Sequence, residues 1–192
     1  MTREELYSRA PQILRRIFMF GLPVSALFFL LWYKAGGITI WGQWVTLWLK
    51  PLSFIMPIHF ETDQFVGSVT LVTGKISELV YSANQFNLSL ATVITLFVIL
   101  PHTQPRKSFF LALWLLLIVT LWHMFMVLLQ LHHTAIGPEF ANRHKLFWES
   151  SSYYRAIHWV ANLEKLILRY WSGFWLFLAA LAANNLCLRR RT

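Results

Sequence analysis

FFLALWLLLIVTLWHMFMVLLQL, residues Phe109 to Leu131, is the stretch whose reading decides the fold. Its 23 residues carry no formal charge and one ionisable side chain, His123. At about 1.5 Å per residue such a helix covers roughly 34 Å, enough for a hydrocarbon core of about 30 Å. Lipid offers no partner to loose backbone N–H and C=O groups, so spanning segments are helices or closed barrels. An unbroken apolar run lacks the alternation of a barrel strand. The expectation is an all-α membrane protein.

Composition agrees. With 57% apolar and only 13% charged residues in 192, the chain leaves the soluble globular range toward a single polytopic membrane domain. Its net charge of +9 is explained by loop asymmetry rather than by nucleic acid, because no basic patch with interleaved aromatics lies on a soluble domain. The one cysteine, Cys187, excludes an intramolecular disulfide and a thiolate zinc cluster, and reads as an inert thiol at the end of the last apolar run.

Working outward from the central run, spans are expected at about 17–33, 84–101, 109–131 and 166–188, with outer segments at 34–83 and 132–165. The first span follows a basic flank but ends in Trp32-Tyr33-Lys34 with no small-residue cleavage site, so it is retained rather than cleaved. Pro23 is expected to kink it. The seven-residue loop from His102 to Ser108 is short enough to make the second and third spans antiparallel neighbours. Gly137-Pro138 is expected to end the third.

Trp41, Trp44 and Trp48 share one face of a short helix closed by Lys50-Pro51. Too short for an unaided span, it reads as an interfacial or re-entrant helix anchored by its indoles. Between Ile58 and Asn84 polar and apolar residues alternate, with glycines at 67 and 74 that can bend or end strands. A hairpin or short strand pair is expected there. The architecture is thus four transmembrane helices with an interfacial helix and a small strand-containing extracytoplasmic cap.

Charge sets the orientation. With both termini cytoplasmic, Arg3, Arg9, Arg15, Arg16, Arg106, Lys107, Arg189, Arg190 and Arg191 lie inside. The two longer outer segments hold Lys34, Lys50, Lys75, Arg143, Lys145, Arg155, Lys165 and Arg169. This is the positive-inside bias, and in a bacterium it places the chain in the inner membrane with its working surface outward.

His123, Gln130 and His133 fall on one helical face and form a candidate intramembrane polar site. A neutral histidine bonded to a neighbouring helix is one reading. The other is a haem or quinone-linked electron carrier using His123, with His59, His102, His132 or His158 as second ligand. On residues 152 to 169, His158, Asn162, Lys165 and Arg169 make a wet stripe and Ile157, Val160 and Leu163 a dry one, as a helix lying on a membrane or partner would. The wet stripe is the candidate partner-binding face. His132, His133, Glu139, Arg143, His144, Glu149, Arg155, His158 and Glu164 supply acid and base groups for a membrane hydrolase, but no Gly-x-Ser-x-Gly, His-Glu-x-x-His or phosphate-loop motif orders them. Neither metal nor cofactor is assigned, and Asn184-Asn185 reads as hydrogen-bonding glue between helices.

The order of segments, roughly from residue 60 to 186, resembles the exosortase H-associated membrane proteins. It rests on Asn84-Gln85-Phe86 leading into LSLATVITLFVILP, on the turn Pro105-Arg106-Lys107, and on Gln130 to Gly137-Pro138. An amphipathic stretch then enters the last span. Exosortases are membrane cysteine transpeptidases that use a Cys, Arg, His set. The single Cys187, beside a cytoplasmic arginine cluster, departs from that pattern. The resemblance therefore implies a non-catalytic accessory, partnering an exosortase-like transpeptidase or its substrates.

Overall fold

The computed structural model describes residues 11–12, 14–54, 56–70, 76–100, 105–136 and 152–189, with 167–170 and 185–189 described by backbone only. Arg3, Arg9, His102, Gly74, Gly137-Pro138, Glu139, Arg143, His144, Glu149 and Arg190-Arg191 lie outside the described residues, as do the side chains of Arg169, Asn185 and Cys187. The chain is mostly helical with one small antiparallel sheet. Among the described residues two helices are long and apolar enough to cross a membrane: α1, Leu14–Lys34, of 21 residues, and α4, Pro105–Ala135, of 31. The apolar helix Ala83–Ile99 is shorter, and Ser152–Leu166 and Trp171–Asn184 reach the length only when taken together.

Residues cluster into two compact units. One holds 1–35, 87–119 and 171–192, the other 36–86 and 120–170. The first is a helical bundle. Helix α1 carries a π turn at Ile17–Gly21 immediately before Pro23, the residue whose missing N–H interrupts the helical ladder. Helix α3, Asn87–Ile99, runs antiparallel to α1. Asn87 Nδ2 donates to Tyr33 Oη at 2.6 Å, the Ser25 and Thr95 hydroxyls meet at 2.7 Å, and Ile99 packs on Gly21. Arg16 closes the pair by donating to the Ile99 carbonyl. Matched hydroxyls and a glycine let the two apolar helices approach closely. Helix α6, Arg169–Arg189, sets Gly173 against Ser89 and Thr92 of α3, and Asn184 Nδ2 donates to the Lys107 carbonyl of α4 at 3.4 Å.

The second unit contains α2 (Gly37–Leu49), strands β1 (Ile58–Glu61), β2 (Gln64–Thr70) and β3 (Ile76–Ser82), the later half of α4, and α5 (Ser152–Leu163). The sheet is a meander of order β1-β2-β3, one strand more than the pair expected. The extra strand arises at Thr62-Asp63, whose φ values of 45° and 66° make a two-residue turn that joins Glu61 to Gln64. Gly67 ends nothing. It lies mid-strand where a Cβ would sit 2.6 Å from Met56 Sδ and 3.1 Å from Leu131, so it is small for packing rather than for bending.

Ile38, Gly42, Val45 and Leu49 bury one face of α2, with Gly42 under the Phe60 ring. From there an aromatic chain crosses the unit. Phe60 meets Phe65 at 5.1 Å, Phe65 meets Phe86 at 5.6 Å, and Phe86 stacks on His123 at 4.0 Å and 6°. Phe65, Phe86, His123 and Val45 are fully buried, so this chain is the core of the unit.

Candidate functional site

His123, within the long apolar helix α4, is the end of that aromatic chain. Trp41 Nε1 donates to His123 Nδ1 at 2.9 Å; an indole N–H can only donate, so Nδ1 accepts and the neutral ring carries its proton on Nε2. Phe86 covers one ring face. One turn earlier on α4, Thr120 Oγ1 accepts the Trp44 N–H at 3.0 Å. The three tryptophans assigned to an interfacial belt therefore divide. Trp41 and Trp44 turn inward as hydrogen-bond donors, and Trp48 alone is exposed. Placing α2 beside α4 gives each of the two indole N–H groups an acceptor, His123 and Thr120.

Gln130 lies further along α4 and is also buried. Its Nε2 donates to Glu164 Oε2 at 2.6 Å and to the Ala161 carbonyl at 3.3 Å. Glu164 is fully buried and opens a π turn, Glu164–Leu168, that directly follows α5. In the sequence Glu164 appears only as one of the outer acid-base groups. Its role was detectable in one respect: Tyr154, Ile157, Ala161 and Glu164, spaced three and four apart, form a single row, and Glu164 is the only carboxylate on it.

His133 belongs elsewhere. Its Nε2 lies 3.0 Å from His158 Nδ1, and Asn162 Nδ2 donates to His158 Nε2 at 2.8 Å. With Nε2 accepting, neutral His158 carries its proton on Nδ1 and donates it to His133. Tyr154 stacks on His133 at 6.1 Å and 7°, and Tyr153 Oη lies 2.7 Å from His132 Nε2. Members of two separately read sets, His133 of the intramembrane site and His158 and Asn162 of the partner face, thus form one hydrogen-bonded cluster between α4 and α5. His123 is not part of it. Lys165 is exposed.

The contacts between α4 and α5 run in antiparallel order, Gln130 with Ala161 and Glu164, then His133 with His158 and Tyr154. They consume much of the wet stripe. His158 and Lys165 of that stripe are nevertheless exposed, and so are the apolar Trp159, Val160 and Leu163, while Ile157 is half-buried. Chemically the cluster is a chain of neutral donors and acceptors that fixes a helix. Among the described residues no group of three or more His, Cys, Asp or Glu side chains is arranged to hold a metal. No protein-family model, curated protein or solved structure matches this chain.

Proposed function

We propose that this chain is a non-catalytic accessory protein of a bacterial inner membrane. In this reading it serves an exosortase-type protein-sorting system, docking at the outer face on the transpeptidase or its substrates. The observation that carries the reading is the edge of β3 that pairs with no other described strand. Its one partner among the described strands is β2, and on one face of the strand Ile76 and Val80 stand 70% and 52% exposed. An unpaired strand edge adds an extended peptide through main-chain hydrogen bonds.

Four crossings, with both termini cytoplasmic, follow from the same proposal. The antiparallel register of α1 and α3 supports a crossing by the short helix Ala83–Ile99. The bonds from Arg16 to Ile99 and from Asn184 to Lys107 support gathering the arginine-rich helix ends on one side. The layout shared with exosortase H-associated proteins supports the choice of partner.

Copurification tests it. A tagged chain coexpressed with an exosortase-type enzyme should copurify in mild detergent, and Val80→Lys, which blocks strand addition, should abolish this while the variant still folds. Failure of the unaltered chain to copurify with the enzyme or its sorting-signal substrates contradicts the proposal.

A further inference from the structure

Helix α5 is fastened to α4 along one row and bare along the opposite one. Ala161 and Glu164 are fully buried and bonded to Gln130, and His158, exposed at the side of this row, bonds to His133. Its outward row is Trp159, Val160 and Leu163, continued by Leu166 in the π turn, and Trp159 and Leu166 are 76% and 75% exposed. In water such a row would sit against the protein.

We infer that this outward row is a lipid contact, on which α5 lies in the interfacial layer of a membrane carrying anionic headgroups. Charge selects lipid over a protein partner. The charged side chains exposed between Ser152 and Leu166 are Arg155 and Lys165, both cations, and the sole carboxylate, Glu164, is turned inward onto Gln130. Cations flanking an apolar row that includes a tryptophan match the chemistry of an acidic headgroup layer over acyl chains. The inward polar contacts then have a second effect: they hold the rotation of the helix, so that the apolar row cannot roll back onto the protein.

The test uses the full chain carrying Cys187→Ser, with a nitroxide attached at Trp159→Cys or, separately, at Leu163→Cys. The protein is reconstituted in vesicles of phosphatidylcholine and phosphatidylglycerol at seven to three. Both labels should collide several-fold more often with oxygen, which concentrates in lipid, than with a water-soluble nickel chelate. Replacing phosphatidylglycerol by phosphatidylcholine, or introducing Arg155→Glu with Lys165→Glu, should bring the label at 159 nearer to water. Free access of the nickel chelate at both positions overturns the inference. Shielding from both reagents also overturns it, in favour of a protein or second copy covering the row, and indifference to headgroup charge overturns the choice of anionic lipid.

Discussion

Gln130 and Glu164 meet side chain to side chain, Nε2 donating to Oε2 across 2.6 Å, with neither group open to solvent. Thirty-four residues separate them in sequence, and the contact fastens the end of α5 to α4. Removing one partner strands the other, whereas removing both leaves an apolar contact. Gln130→Leu should therefore destabilise the protein by about 1–3 kcal/mol, and Glu164→Leu added to it should restore much of the loss. Thermal unfolding in detergent, read as a double-mutant cycle, checks this.

Trp41 and Trp48 give opposite expectations from one residue type. Trp41→Phe keeps the ring but deletes the N–H bonded to His123 and should cost about 1 kcal/mol. Trp48→Phe, at an exposed position, should stay within about 0.5 kcal/mol. An anchoring belt would give the reverse order, so the same melts distinguish the two.

Gly173 tests the bundle. A Cβ there would lie 2.5 Å from the Thr92 Cβ and 2.8 Å from the Ser89 carbonyl oxygen, and a backbone carbonyl cannot swing aside. Gly173→Val should cost about 1–3 kcal/mol by overpacking and should free α6 from α3. Thermal unfolding in detergent reads the loss, and a Gly173→Val variant as stable as the unaltered chain would contradict the contact.

His158→Phe preserves ring size but removes the links to both His133 and Asn162. The loss of two net hydrogen bonds, about 1–3 kcal/mol, should appear locally as faster amide exchange across Ser152–Leu163. Exchange in α1 and α3 should be unchanged. A global increase would contradict the view that the cluster acts on α5 alone.

How much of this could be read from the sequence depends on the range of the information. The central helix is legible because an uncharged run of that length has few other solutions, and α5 because its polar and apolar residues separate at helical spacing. The inward face of α5 was not legible. Periodicity identifies two faces, but in a membrane protein it does not tell which one meets the protein, since lipid takes the apolar face that water would reject. Likewise a tryptophan at helical spacing reads as an anchor until a facing acceptor such as His123 or Thr120 is known. The third strand was hidden by Thr62-Asp63, which lacks the glycine that usually marks a two-residue turn. Gly67 misled in the other direction, its reason being Met56 and Leu131, which are distant in the chain.

The central proposal is that the strands lie outside the membrane and the start of α4 in the cytosol. Cysteine accessibility in a Cys187→Ser background tests it most directly, using Glu61→Cys at the end of β1 and Lys107→Cys at the start of α4. A membrane-impermeant maleimide applied to intact spheroplasts should label position 61 at once and position 107 only after the membrane is opened. Labelling at 107 but not at 61 in intact spheroplasts would invert the topology and contradict the account.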